Sequence, residues 1–283
     1  MRNPFTIFTD TLHIGLSQSD IALVHSSGLL KKQNHVVKEH TFKQDTVENC
    51  LSDLSLFLVE NQCQRLKTNI FLSNSWVRFF MVTPPSNASR FQDCQAAAEV
   101  RFSTLFGEAI STWEISADWQ VKHPFLACAI PRALLTGLKR VADERHLSLL
   151  KIEPQLITYI NCLRGKMSGN PWLGIFNDGN LDLVMFSGNR ISRLHKCTYS
   201  DKETQDKNWL HDTIQREAFR HNSEIPTIFF YAGQPPKLWL DTESNAASNI
   251  SYDSLDKLDK RFAQLTITTQ SEAMRLANSW SKK

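Results

Sequence analysis

The sequence contains no apolar run of about eighteen residues, the length that a membrane-spanning helix needs. Its first residues, Met1 to Pro4 and the mixed polar and apolar stretch after them, also lack the continuous apolar core of a signal peptide. Neither transmembrane insertion nor export is therefore indicated. We expect a cytoplasmic protein.

Closely spaced cysteines are absent as well. The six cysteines stand singly along the chain, without the CxxC pair or the neighbouring Cys and His residues that a zinc site requires. Cys128 lies within the apolar stretch 125–130, where cysteine usually behaves as a small buried hydrophobe. This spacing argues against a zinc-binding module, and we expect reduced cysteines and no bound metal.

Neither sign of charge dominates. The chain has 32 Lys and Arg against 29 Asp and Glu, and its basic residues are scattered rather than gathered in a tract that follows a phosphate backbone. Nucleic-acid binding is therefore not predicted. The GxSxG, GxGxxG and P-loop motifs and a Ser-His-Asp order are also missing, so the motifs indicate no common enzyme class.

The sequence does contain a regular succession of strand and helix patterns. β-branched and aromatic residues cluster between turn residues, and one stretch repeats its apolar residues at helical spacing. The first part is predicted to hold strands at 5–14, 21–24, 36–42, 68–72 and 76–82, with a helix at 46–59 capped by Asp45. This is a three-stranded meander followed by a helix and two more strands.

A Pro-Pro-Ser break at 84–86 separates this part from a different order of elements. The patterns there predict a helix at 90–105, strands at 111–118 and 125–130, a helix at 131–145 and a strand at 149–152. This order predicts a small split βαβ subdomain inserted at 84–147. A helix from Pro154 leads to a polar linker at 165–170. We predict a first lobe at 1–165, which includes the inserted subdomain, and a second lobe at 166–283.

The second half repeats the plan of the first. It is predicted to contain strands at 172–176, 181–186 and 190–197, a helix at 204–220 and strands at 227–231 and 237–240. Two helices follow, at 252–264 and 270–281. The last one has an apolar stripe, which we expect to pack back on the first lobe, while a partner or membrane surface is the alternative for that stripe.

Two stretches of sequence narrow the architecture. The chain reads AEVRFSTLFGEAISTWEISADW at 98–119 and FLACAIPRALLTGLKRVADERHLSLLKIEP at 125–154. This order of a helix rich in Ala and Glu, two strands, a proline-opened helix and a strand ending in Glu-Pro resembles the inserted subdomain of the PilM-like family of actin-like ATPases. That family includes relatives in MSHA pilus biogenesis and the cytoplasmic domain of GspL. The resemblance covers residues 10–235 and implies an α/β, actin-like ATPase (ribonuclease H-like) fold duplicated into two lobes.

The resemblance implies an Asp-x-Gly motif on the first hairpin, where an acid holds hydrated Mg²⁺ and glycine lets backbone amides approach phosphate. Here His13 stands in place of the acid, and Gly15 remains. Imidazole is a poor ligand for the hard Mg²⁺ ion. Asp20 stands where a lysine is common, and its charge repels phosphate.

The second hairpin and the adenosine-binding segment depart from the family pattern too. Ile175 stands at the position of the second acid and Asn177 at that of its glycine, while an alternative register through Asp178 and Gly179 is typical of a type I′ turn. Of the adenosine-binding glycines only Gly233 survives, and two prolines follow it closely. We therefore expect no ATP hydrolysis and no resident ATP or Mg²⁺.

The resemblance also implies a role and a partner. Proteins of this family hold the cytoplasmic N-terminal segment of a bitopic inner-membrane assembly protein in a groove between the first lobe and the inserted subdomain. This predicts a binding site near Trp76, Arg78 and Phe80, which we expect to alternate onto one face of their strand. The alternatives are an actin-like protein that still binds ATP as a regulator and a divergent small-metabolite kinase.

Overall fold

The computed structural model describes residues 10–27, 33–41, 46–163, 170–177, 179–240, 250–255 and 271–278. The predictions for 5–9, 42, 165–169, 256–264 and 279–281, and those for Asp45 and Asp178, fall outside these residues. In the described parts of the chain, no helix is both long and apolar enough to cross a membrane.

The chain divides into two compact units, one formed by 1–158 with 266–283 and the other by 159–265. The predicted boundary between 165 and 166 falls within undescribed residues and stays a prediction. In chain order the first unit begins with β1 (Thr11–Leu16), β2 (Asp20–Ser27), β3 (Gln33–Thr41), α1 (Val47–Glu60), β4 (Lys67–Leu72), β5 (Arg78–Val82), α2 (Phe91–Phe106), β6 (Trp113–Ala117), β7 (Phe125–Pro131), α3 (Arg132–Glu144) and β8 (Ser148–Pro154).

The remaining elements are α4 (Gln155–Leu163), β9 (Trp172–Asn177), β10 (Asn180–Ser187), β11 (Arg190–Thr198), α5 (Asp201–Thr204), α6 (Trp209–Arg220), β12 (Ile228–Gly233), β13 (Ser251–Ser254) and α7 (Glu272–Asn278). Helix α4 begins at the end of the first unit and continues into the second. Helix α7, near the end of the chain, belongs to the first unit.

The first unit is built on a five-stranded sheet with the order β3-β2-β1-β4-β8. Strands β1, β4 and β8 run parallel, so their carboxyl ends meet at one edge of the sheet. Because side chains alternate along a strand, Leu12, Ile14 and Leu16 of β1 share one face, where they join the core formed with α1 and α3. The opposite face carries Gly15 and lies under α7.

A second, three-stranded sheet of the first unit has the order β5-β7-β6 and is antiparallel throughout. Helix α2 covers one face through Phe102, which packs with Phe80 and Trp113. Cys128 and Ile130 on the other face belong to the core of α1 and α3. Strand β5, predicted as part of the opening arrangement, is thus in the inserted sheet because it pairs with β7.

The second unit repeats the sheet plan of the first, with the order β11-β10-β9-β12-β13. Here β9 is the central strand, antiparallel to β10 and parallel to β12. Helix α6 packs Leu210 and Ile214 into a core with Phe176 and Phe229. The predicted internal repeat is therefore present as two sheets with equivalent strand order.

The predicted helix at 204–220 is wrong at its start, where the structure has two helices. Ser200 and Glu203 form a capping box that begins α5 at Asp201, earlier than predicted. The chain then turns, and the backbone N–H of Trp209 donates to the carbonyl of Asp206 at 3.1 Å, so α6 begins only at Trp209.

Two predictions near the end of the chain are also wrong. Segment 237–240 is a 3₁₀ turn rather than a strand, because the N–H of Trp239 donates to the carbonyl of Pro236 at 3.1 Å and the Trp239 side chain is fully buried. The helix predicted from 252 begins as the strand β13, whose Tyr252 pairs in parallel register with Phe229. The available sheet edge beside β12 determines this conformation.

Candidate functional site

The turn between β1 and β2 lies at the carboxyl edge of the first sheet, where the family resemblance implies a phosphate cradle. The N–H of Ser17 donates to the Asp20 carbonyl at 2.9 Å. The N–H groups of Ser19 and Asp20 both donate to the Ser17 hydroxyl oxygen, at 3.1 and 2.8 Å. Three backbone amides of the turn are thus bonded within the turn itself, whereas a phosphate cradle presents amides to its ligand.

The charge at this edge is also unfavourable for an anion. Asp20 Oδ2 accepts hydrogen bonds from the hydroxyls of Ser19 and Ser17, at 2.8 and 3.3 Å, so its carboxylate lies over the turn. Burial and the charge of Asp20 raise the pKa of Glu39 on the neighbouring strand β3. Glu272, at the start of α7, accepts a hydrogen bond from the Ser73 hydroxyl at 2.5 Å.

His13 lies inside the sheet rather than at the turn. Its side chain is 1 % exposed, and its Nδ1 is 3.4 Å from Asn69 Nδ2 on β4. The ring also lies 6.2 Å from that of Phe71, measured between centroids. The imidazole is therefore a buried member of the sheet face beneath α7.

Gly15 is in contact with helix α7. A Cβ atom at this position would lie 1.8 Å from the backbone oxygen of Ala273 and 2.8 Å from the nitrogen of Ala277. The glycine predicted for phosphate binding thus allows the close approach of a helix. The signal in the sequence is the pair of alanines four residues apart in the last helix, Ala273 and Ala277, which lie on its apolar stripe.

The second hairpin has no acid at the predicted position. Ile175 is fully buried in the centre of β9, between Asp182 of β10 and Ala232 of β12. Asn177 is 8 % exposed and pairs with Asn180, which leaves a two-residue connection in which Gly179 has φ +73°. The positive φ of Gly179 is the conformation that the second central residue of a type I′ turn requires.

Gly233 is also placed by contacts within the chain. Its φ is +89°, and a Cβ atom there would lie 2.1 Å from the Phe176 oxygen on β9. The two glycines that remained at the predicted nucleotide positions, Gly15 and Gly233, are therefore both required by backbone packing of the chain itself.

These groups do not fit a Mg²⁺-bound phosphate. His13 and Ile175, at the two acid positions, are buried, and the only carboxylate of the first turn, Asp20, is bonded to neighbouring hydroxyls. Over the residues that the structure describes, no cluster of three or more His, Cys, Asp or Glu is arranged to hold a metal ion. Burial also raises the pKa of the Cys50 and Cys128 thiols to about 12, so they are poor nucleophiles.

The three predicted partner-binding residues do not share a face. Trp76 belongs to a 3₁₀ turn before β5, so the alternation of the strand starts only at Arg78. Its Nε1 donates to the Ser17 carbonyl at 3.0 Å, and its ring packs on the core of α1 and α3. Phe80 is 3 % exposed and packs under α2.

Arg78 lies on the α2 side of β5, with Phe80. Its guanidinium is 5.6 Å from the centre of the Trp113 ring and 3.7 Å from a carboxylate oxygen of Glu108. Phe79, which the sequence placed on the opposite face from Trp76, instead packs with Trp76 on the core of α1 and α3 while remaining partly exposed. Sequence reasoning missed this residue because it counted the strand from Trp76.

No protein-family model matches the sequence, and no curated protein matches it in sequence. Solved structures, however, share its fold. A Bacteroides thetaiotaomicron protein of unknown function with an actin-like ATPase fold is 12% identical, with a TM-score of 0.61, and the match covers 95% of this chain and 100% of that one.

Two further structures are similar over nearly the whole chain. The PilM-PilN type IV pilus biogenesis complex matches with 11% identity and a TM-score of 0.59, covering 96% of each chain. The cytoplasmic domain of EpsL, an inner-membrane component of the type II secretion system of Vibrio cholerae, matches with 10% identity and a TM-score of 0.53, covering 93% of this chain and 97% of that one. The predicted α/β actin-like ATPase fold is confirmed.

Proposed function

We propose that the chain is a cytoplasmic actin-like scaffold of an inner-membrane assembly of the type IV pilus or type II secretion class. It binds a cytoplasmic segment of a membrane partner and does not hydrolyse ATP. The fold shared with PilM, solved as a complex with PilN, and with the cytoplasmic domain of EpsL supports this choice of assembly.

The observation that carries the proposal is the closed turn between β1 and β2. Its amides donate to Ser17 Oγ and to the Asp20 carbonyl, and the Asp20 carboxylate adds a negative charge where the phosphates of ATP would lie. Opening this turn for phosphate would break three internal hydrogen bonds and bring two like charges together. A scaffold does not need to bind phosphate or Mg²⁺, so it is compatible with this closed turn.

The partner segment binds at the inserted sheet. Strand β5 is an outer strand of that sheet, and an extended peptide can add to such an edge through main-chain hydrogen bonds. Trp76 and Phe79 supply partly exposed apolar surface beside it, with Leu135 of α3 packed on the same core. Arg78 stands on the same strand, and the buried Phe80 holds the strand against α2.

Co-purification tests the partner. Cytoplasmic segments of candidate inner-membrane pilus and secretion proteins are immobilised, and capture of the full chain is compared with that of Trp76→Ala. The matched control is Trp119→Ala, another partly exposed tryptophan of the first unit, which follows β6 and packs with Phe91 and Phe125. We expect capture to be lost only in Trp76→Ala, and equal capture by both variants would place the partner elsewhere.

Thermal unfolding with Mg-ATP tests the nucleotide part separately. A ligand that binds only the native state raises the unfolding temperature. We therefore expect no change in the unfolding temperature at sub-millimolar ATP. Stabilisation without phosphate release would instead favour an ATP-binding regulator. Phosphate transfer to a small hydroxyl compound would favour a kinase.

A further inference from the structure

Helix α6 of the second unit has an outward face of unusual composition. Trp209, Asp212, Arg216 and Phe219 are spaced three, four and three residues apart, which places them on one stripe opposite the buried Leu210 and Ile214. We call these four residues the α6 stripe. Phe219 is 91 % exposed, more than any other large apolar residue that the structure describes.

The first half of the stripe is rigid and acidic. The Trp209 ring stacks on the buried Trp239, with centroids 4.5 Å apart, so its position is fixed. A groove of about 550 Å³ lies beside it, lined by residues of α5, α6 and the connection between them: Lys202, Glu203, Asp206, Trp209, Asp212 and Arg216. Carboxylates outnumber cations in this groove.

The second half of the stripe is basic. Arg216 donates from Nη2 to the Thr213 hydroxyl of its own helix at 2.9 Å, and Arg220 lies 2.8 Å from the carboxylate of the buried Glu217. Phe219, whose side chain is exposed, stands between Arg216 and Arg220 in the sequence. The stripe therefore carries one aromatic residue and one sign of charge at each end.

This arrangement is complementary to itself. In an antiparallel pair of α6 helices that pack through their stripes and cross at the level of Ile214 along the helix axis, Asp212 lies opposite Arg216 of the second copy, because both are two residues from that level. Trp209 lies opposite Phe219 of the second copy in the same register, because both are five residues from it. A single two-fold axis thus pairs both charges and both aromatic residues.

We infer that the α6 stripe is a self-association surface, on which a second copy of this chain docks antiparallel about a two-fold axis at Ile214. A partner of a single charge would be repelled at one end of the stripe, whereas a second copy satisfies both ends. The contact of one helix pair is small by the standard of stable interfaces, so a weak dimer in the micromolar range is expected.

Sedimentation velocity of the full chain over a concentration series tests this dimer. Phe219→Ser removes the exposed ring, and we expect dimerisation to weaken by at least about tenfold, since large aromatic side chains buried on association carry much of the binding energy. The control is Phe91→Ser, an exposed phenylalanine of α2 in the other unit, which should dimerise as the parent does. A parent chain that stays monomeric, or a Phe219→Ser variant that dimerises normally, overturns the proposal.

A charge exchange tests the register. Asp212→Arg and Arg216→Asp each place like charges opposite one another in a homodimer, so each variant alone should be monomeric. Mixing the two should restore a dimer, because Arg at 212 of one copy then faces Asp at 216 of the other and the second pair is of native type. A mixture that stays monomeric overturns the antiparallel arrangement, and circular dichroism of each variant confirms that it is folded.

Discussion

The two five-stranded sheets have the same strand order, yet the glycines of their central strands lie on opposite faces and against different neighbours. In the first sheet, Gly15 of β1 lies against the backbone of α7, with the Ala273 oxygen 1.8 Å from the position of an added Cβ. In the second sheet, Gly174 of β9 lies against a side chain, with Phe229 Cζ 2.6 Å from that position. Glycines on the two central strands therefore need not tolerate substitution equally.

The difference lies in what each neighbour can do. A side chain inside a core can change its rotamer at some cost, while a backbone atom moves only if its whole element moves. Gly233 shows whether the kind of neighbour or the unit determines the effect of a substitution. It belongs to the second unit, but a Cβ added there would lie 2.1 Å from the backbone oxygen of Phe176. Three glycine-to-alanine substitutions therefore test the comparison.

The largest effect is expected for Gly233→Ala. Strands β12 and β9 are hydrogen-bonded at this point, so the Phe176 oxygen cannot retreat without separating the sheet. The φ of +89° adds strain for any residue with a Cβ. We expect the free energy of unfolding in urea to fall by about 4 kcal/mol. A smaller loss of unfolding free energy for Gly233→Ala than for Gly174→Ala would contradict the distinction between backbone and side-chain neighbours.

Gly15→Ala should have the second largest effect and lower the free energy of unfolding by about 2–3 kcal/mol. The clash, at 1.8 Å, is closer than the 2.1 Å at Gly233, but α7 is a short helix that can lift from the sheet without β1 having to move. The measurable sign is faster proteolysis near α7, with the core of α1 and α3 still protected in hydrogen exchange. Gly107→Ala measures the strain of a positive φ without a clash, because φ there is +65° while a Cβ meets nothing within 4 Å.

These two glycines also mark the limit of what the sequence revealed. The succession of strands and helices along the chain, the inserted subdomain and the loss of acids at positions 13 and 175 followed from local patterns and from family resemblance. The contact of Gly15 with Ala273 joins residues at opposite ends of the chain, and no local pattern encodes such a contact. A glycine that lets backbone amides approach phosphate and a glycine that allows close packing look the same in a sequence. Only the atoms around them in the structure distinguish the two roles.

The error at Trp76 has a similar physical cause. A run of alternating apolar residues fixes the faces of a strand only if its first residue is known, and a shift of one residue exchanges the faces. Ser73 accepts the N–H of Trp76 and forms a 3₁₀ turn, which the sequence pattern of 76–82 did not indicate. Trp76 and Phe79 therefore lie together, and Phe80 is buried.

Gly174→Ala should have a smaller effect than either backbone contact. The added methyl group meets side-chain atoms of Phe229 and Leu181, at 2.6 and 3.0 Å, and these can shift within the core of the second unit. We expect a loss of about 1 kcal/mol in urea unfolding, at the low end for an overpacked core. Pairing this variant with Phe229→Leu should recover part of the loss, whereas the same second substitution should not rescue Gly233→Ala.

The smallest effect concerns helix caps, where the two units are alike. Helices α2 and α5 both begin with a carboxylate at their third residue that reaches back, so that Asp93 or Glu203 accepts backbone N–H groups at the start of the helix. Hydrogen bonds from the N–H groups of Ser89 and Arg90 lower the pKa of Asp93 below its ordinary value of 3.8. A bond from the Ser200 hydroxyl and one from its N–H lower that of Glu203 below 4.5.

Because both pKa values are lowered in the folded state, each carboxylate stabilises the protein above its ordinary pKa, and the contribution is lost as the pH falls through the folded-state value. Asp93→Ala should therefore lower the melting temperature slightly at neutral pH and have no effect once the pH is well below 3.8. Glu203→Ala should show the same pH dependence with a smaller amplitude, since α5 has only four residues and α2 has sixteen. A difference between parent and Asp93→Ala that persisted unchanged at low pH would mean that the side chain acts through packing rather than through its charge.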